Sequence, residues 1–257
     1  MRIIRENRGF AFAVPTVFLV VVALWWFDNI KVYPPTYCPE PTVPQTVMRA
    51  LSPGHTVILV DTSNEVSRED GARADALIDE WTKNDTAAPF LQRLSVYSLP
   101  QQVDDLGGPH SEPMCIPKEG DEYSWLYENQ TMVQAHFLNF LSQLKAVFWD
   151  TLGKGEADQS PLVETMAQLM EQYDDIDSFV LVSDMLQHTP MWSHYRKTGD
   201  LGAVEATCDQ VRALGRLKKV YVYYIDRELP TIQASAWPDE WWANCLAGVG
   251  TEMLNGI

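Results

Sequence analysis

Asp61 and Ser63 stand two residues apart at the end of an apolar run, Val57-Ile58-Leu59-Val60, and Glu65 follows two residues later. Carboxylate and hydroxyl oxygens are hard donors, suited to Mg²⁺ or Mn²⁺ and to bonding the N–H groups that open a helix. A second apolar run, Phe179-Val180-Leu181-Val182, ends in Ser183-Asp184, so Asp184 falls in the same kind of place. Between the two runs, Ser160 opens Ser160-Pro161-Leu162, with Thr151 and Thr165 as neighbouring hydroxyls. In an open parallel α/β sheet the carboxyl ends of the strands share one edge, and ligands are held there. The spacing therefore predicts one shared oxygen-rich site drawn from Asp61, Ser63 and Asp184. Each residue also has an ordinary use: Asp61 and Ser160 as helix caps, Glu65 as an acid at the positive end of a helix.

The elements that must position these oxygens follow from periodicity. Val57 to Val60 reads as a buried strand, and Val66, Ala74, Leu77, Ile78 and Trp81 recur at helical spacing. Leu94 to Leu99 alternates like a strand. Met132, Val133, Phe137, Phe140, Leu141, Leu144, Val147 and Phe148 form the stripe of a long helix. Leu162 to Met170 is a further helix with Pro161 in its first turn. After the strand at Phe179 come a helix through Val204, Cys208, Val211 and Leu214, a strand at Val220 to Ile225, and a closing helix from Pro238 to Leu246. Strands alternating with helices, several of them wholly apolar, predict an α/β fold with a mainly parallel sheet covered on both faces.

Asp61-Thr62-Ser63-Asn64-Glu65 resembles the Asp-x-Ser-x-Ser motif of von Willebrand factor A (VWA) domains, with Glu65 where the second serine belongs. The resemblance extends through the order of elements from about His55 to the end. It implies a doubly wound, VWA- or Rossmann-like domain over residues 55–257. It also implies a metal-ion-dependent adhesion site on three loops, carried here by Asp61, Ser63 and Glu65, then Ser160, then Asp184. In family members that bind through this site, the ion stays electrophilic and accepts a carboxylate from a partner protein. Glu65 adds a negative charge beside such an ion, which strengthens cation binding and weakens the attraction for an acidic partner. The irregular stretch Pro100 to Asn129 falls where the family places a short antiparallel edge strand, so that strand is expected to be missing or degenerate.

The start of the chain bears on location. Phe10 to Phe27 carries no charge, follows Arg2, Arg5 and Arg8, and ends in Leu24-Trp25-Trp26-Phe27. This pattern predicts a cytoplasmic stub (1–9), a transmembrane anchor (10–29) and an exported remainder, hence a single-pass inner-membrane protein with its domain in the periplasm or outside the cell. A cleaved signal peptide shares the charged start and apolar run, but no small-x-small site follows. Residues 30–54 hold Pro34, Pro35, Pro39, Pro41 and Pro44 and read as a semi-rigid spacer. With 35 acidic and 19 basic residues the net charge is −16, which argues against nucleic acid as a partner.

The four cysteines, Cys38, Cys115, Cys208 and Cys245, form no Cys-x-x-Cys pair. In an oxidising compartment they suggest two disulfides, Cys208 with Cys245 if the closing helices adjoin, leaving Cys38 with Cys115; buried thiols are the alternative. The competing functional class is a metal-dependent phosphoryl-transfer or hydrolytic enzyme using strand-end carboxylates, Asp226 included. Against it, no glycine-rich loop follows the first strand and no Gly-x-Ser-x-Gly elbow occurs, so no catalytic residue is assigned. The sequence reads instead as a protein-binding component of an envelope assembly, of the kind found in secretion or conjugation apparatus.

Overall fold

The computed structural model describes residues 54–63, 67–83, 88–100, 107–111, 113–122, 128–153, 158–195, 198–199, 201–225 and 237–254, with Val22 and Gln102. The expected stub, anchor and spacer lie outside the described residues, Val22 and Gly54 apart. No described helix is long and apolar enough to cross a membrane. The chain groups into two units, Met1–Pro35 with Pro117–Asn139, and Thr36–Ile116 with Phe140–Ile257.

The larger unit is built on β1 (His55–Val60), β2 (Arg93–Ser98), β3 (Met114–Cys115), β4 (Ile176–Ser183), β7 (Lys219–Tyr224) and β8 (Gly250–Met253). They form one sheet in the order β3-β2-β1-β4-β7-β8, with β3 antiparallel and every other pairing parallel. A minor ribbon pairs β5 (Trp192–Ser193) with β6 (Thr198–Gly199). The chain works outward from β1 in one direction and then returns to add β4, β7 and β8 on the other side. That reversal makes the carboxyl ends of β1 and β4 the topological switch point.

Burial explains why β1 and β4 are central. All six residues of β1 and all eight of β4 are buried, as strands covered on both faces must be. On one face Val57, Leu59, Phe179, Leu181, Val220 and Val222 pack with α3 (Leu162–Gln172), α4 (Leu201–Ala213) and α5 (Trp237–Cys245) in a single core. On the other, α1 (Arg68–Thr82) sets Trp81 edge-on to Tyr221, ring centroids 5.9 Å apart, and accepts at the Asp70 carbonyl from Tyr223. The residues of α2 (Gln130–Leu152) from Phe140 on also belong to this unit, where Lys145 Nζ meets Asp79 at 2.7 Å and Asp75 at 3.3 Å. Burial in these walls costs more conformational freedom than any one contact returns, so the apolar area buried on both faces supplies most of the stability.

The antiparallel edge strand is degenerate, as expected, and reduced to Met114–Cys115. Two features depart from the expectation. Pro161 does not sit within α3; it is the N-cap and makes no side-chain capping bond of its own. A last strand, β8, follows the closing helix, and all four of its residues are exposed.

In the smaller unit, Lys118 Nζ lies 3.1 Å from each carboxylate oxygen of Glu128, and Gly120 N donates to Gln134 Oε1 at 3.1 Å. Asn129 opens α2, its side-chain oxygen accepting from Met132 N at 3.4 Å.

The Cys208–Cys245 disulfide joins α4 to α5, as expected from adjoining closing helices. Cys115 is disulfide-bonded as well, while Cys38 lies outside the described residues.

Candidate functional site at the switch point

β1 pairs with β4 so that Leu59 lies beside Leu181 and Val60 beside Val182. The ladder runs one step further, Asp61 N donating to Val182 O at 2.8 Å, which sets Asp61 beside Ser183. Side chains alternate along a strand, so Asp61 shares the face of Val57 and Leu59, and Ser183 that of Phe179 and Leu181. Both therefore project toward α3. The Ser183 hydroxyl donates to Asp61 Oδ2 at 2.7 Å, and the Ser160 hydroxyl, from the segment leading into α3, donates to the same oxygen at 3.0 Å. Asp61 Oδ1 accepts from Ser63 N at 2.9 Å, an Asx turn that bends the chain out of β1. Asp61, Ser160 and Ser183 are all buried.

Ser160 thus contributes to the site rather than capping a helix. Its backbone is fixed by two-way pairing with His188, Ser160 N to His188 O at 2.7 Å and His188 N to Ser160 O at 3.0 Å. Asp184 is buried next to Ser183, and its Oδ1 accepts from Leu186 N at 2.9 Å. Thr151 is engaged elsewhere, its hydroxyl donating to Val147 O within α2. Thr165 is fully buried one turn into α3. Glu65 and Asp226 lie outside the described residues.

Ser183 lies outside the motif yet bonds Asp61 directly. Its signal was parity: an odd-numbered hydroxyl on β4, in line with Phe179 and Leu181, must face the same way as Asp61. Asp184, which the motif favours, is of the opposite parity.

The donors here are carboxylate and hydroxyl oxygens, the chemistry of Mg²⁺ or Mn²⁺. A hydroxyl has one proton and two lone pairs. Ser160 and Ser183 commit their protons to Asp61, so what they offer a cation is lone pairs only. The residues present therefore fit such an ion by type. Among the described residues, no group of three or more His, Cys, Asp or Glu side chains comes together as a metal cluster, so an ion here would depend on hydroxyls.

Behind the site lies a buried polar layer. The Gln187 amide accepts from Val163 N, in the first turn of α3, at 3.3 Å and donates to the Glu164 carboxylate. Burial raises the Glu164 carboxyl above the usual range, against the lowering effect of its hydrogen bonds. Gln187 N donates to His194 Nδ1 at 2.9 Å. Burial also pushes His194 down to about 4.

The opposite edge of the sheet holds a different cluster. His55 Nδ1 lies 3.2 Å from Asp175 Oδ1, His55 Nε2 lies 3.0 Å from Ser95 Oγ, and Arg93 pairs with Asp175. The three side chains are ordered as nucleophile, base and orienting acid are in acyl-transfer enzymes. The cluster lies at the amino-terminal ends of the strands, however, and open α/β sheets hold ligands at the carboxyl ends. The cluster clamps the starts of β1, β2 and β4.

No family model matches the chain, and no curated protein matches it. Solved structures with partial likeness include the human COPII-coat protein Sec24c (13% identity, TM-score 0.37, 79% of this chain and 29% of that one). Two others are proximal thread matrix protein 1 from the mussel byssus (11%, 0.40, 70% and 41%) and the PilB minor pilin of Streptococcus sanguinis in its D319A form (11%, 0.43, 77% and 56%). The chain spans well under two thirds of each of these proteins, and likeness at this level carries no argument about function.

Proposed function

We propose that the chain is a membrane-tethered, extracytoplasmic VWA-like module that binds a protein partner at the carboxyl edge of its sheet, as a component of an envelope assembly. The observation that carries this reading is the convergence on Asp61 Oδ2 of hydroxyls from two separate segments, Ser160 and Ser183, at the carboxyl ends of β1 and β4. A buried carboxylate held by three protein donors is costly to assemble and is concentrated here where open α/β sheets bind ligands. If a divalent ion is part of the site, Asp61, Ser63 and Ser160 would hold it, joined by Asp184 and Glu65. The ion would supply an electrophile for a partner carboxylate.

The experiment is affinity capture with the full chain, in Mg²⁺, in Mn²⁺ and in chelator, alongside Asp61→Ala. Capture that depends on the ion and fails in the variant supports a metal-assisted site. Capture unchanged in Asp61→Ala would move the partner to another surface. The tether is tested separately, by an export-dependent reporter fused after Ile257, expected to be active, with Phe10 to Phe27 retained in the mature chain.

A further inference from the structure

The segment from Asp184 to Tyr195 crosses from β4 to the minor ribbon directly beside the switch point. Its backbone pairs with Ser160, the residue that holds Asp61. Met185 sits at φ 58, a left-handed conformation unusual for a residue with a side chain, and such strain persists only where surroundings enforce it. The enforcement is visible: Met185 N donates to Ser183 Oγ at 2.9 Å, and the Trp242 indole donates to Met185 O at 2.7 Å. Further along, Thr189 and Trp192 close a turn, and Ser193 Oγ lies 2.7 Å from His188 Nδ1. One fastener in this series is acid-sensitive. Gln187 N can donate to His194 Nδ1 only while that nitrogen carries no proton.

We propose that His194 is an acid-sensitive latch on the Asp184–Tyr195 strap, so that protonation releases the strap from the switch-point site. The regulatory meaning of this latch rests on the switch point being the binding site.

The ring is 0 % exposed, with Trp241 of α5 edge-on at 4.9 Å and Trp192 at 6.4 Å, so a charge formed there meets apolar walls. Among the described residues, the titratable groups around this layer are Glu164 from α3, across Gln187, and Asp184, His188 and Tyr195 on the strap itself. Glu164 works in the opposite sense. Its raised carboxyl favours the closed state as pH falls, so it opposes the latch and does not mimic it.

The sign and size follow from linkage. The open strap exposes an ordinary imidazole that protonates near 6.5, whereas the closed one resists until about 4. The closed state is therefore most secure above the ordinary value and loses ground as pH falls. The open fraction should rise about tenfold per pH unit through the middle of that window, and about twentyfold between pH 7 and pH 5.

The test is amide hydrogen exchange on the full chain at pH 7 and pH 5, corrected for intrinsic rates, comparing wild type with His194→Asn. The asparagine side-chain oxygen takes the place of Nδ1 and accepts at either pH. The Gln187 amide of the wild type should exchange about twentyfold faster at pH 5, while the Asn variant and the β4 amides stay flat. A flat wild type, or an Asn variant that rises equally, would overturn the latch. If the variant does not fold, the His194 ring titration by NMR decides: a midpoint near 4 supports the latch and one near 6.5 removes it. These readouts do not involve a partner, so they stand apart from the Asp61→Ala capture that tests the site.

Discussion

Ser183 reaches Asp61 across 122 residues of chain to place its hydroxyl 2.7 Å from Oδ2, and the contact exists because β1 and β4 are in register one residue beyond their last ladder pair. Removing either partner has unequal consequences. Asp61→Ala leaves two buried hydroxyls and the Ser63 N–H without their acceptor and should cost about 3 kcal/mol. Ser183→Ala leaves Asp61 with its other donors but strips Met185 N of its acceptor, and should cost about 2 kcal/mol. Urea denaturation of the two variants checks the order, and equal losses would mean that Asp61 is not the centre of the network.

Gly71 sets two effects against one another. It lies inside α1, where alanine is favoured by about 1 kcal/mol on helix propensity. A Cβ at that position would meet the Trp149 ring at 2.7 Å, and overpacking costs about 1–3 kcal/mol. Packing should win, so Gly71→Ala is expected to destabilise, and adding Trp149→Ala should remove that penalty. Thermal melts of the single and double variants decide it.

Asp175 ties acid sensitivity to the clamp at the far edge of the sheet. Burial raises its pKa, but the hydrogen bond and charge of His55 together with Arg93 more than offset this, and the net shift is downward. A lowered carboxyl adds stability above its unfolded value, near 4, and loses it as pH falls through the folded value. Asp175→Asn should therefore lower stability at pH 6 and flatten its decline as pH falls below about 5. A parallel decline in wild type and variant would assign the acid sensitivity elsewhere.

The Cys208–Cys245 bond closes a separation of 37 residues between α4 and α5. Chain entropy alone gives such a loop about 4 kcal/mol, with measured effects often smaller. Cys208→Ser with Cys245→Ser should lower stability by about 2–4 kcal/mol without altering the sheet. Denaturation with circular dichroism of the folded state checks both halves.

The fold was legible where burial is symmetric. Val57–Val60, Phe179–Val182 and Val220–Tyr224 are apolar on both faces, and that pattern admits little besides parallel strands under helices. β8 was not legible, because Gly250-Thr251-Glu252-Met253 lies at an edge where solvent imposes no alternation. At the site, motif spacing led to Asp61 and the family resemblance to Ser160, although Ser160 before Pro161 read better as a cap. The same spacing favoured Asp184 over Ser183. A motif records which types occur at which intervals, whereas the bond to Asp61 is set by strand register, a long-range property that a local pattern does not carry.

The exposed β8 strand has a further consequence. In a parallel ladder every second residue turns its backbone outward, so Thr251 and Met253 offer N–H and C=O groups on the side away from β7. Such an edge can template a strand from a neighbouring molecule. The defences among these four residues are brevity and the single charge of Glu252. A strand-to-strand contact at this edge would form away from Asp61, and Glu252 is the charge placed to oppose it.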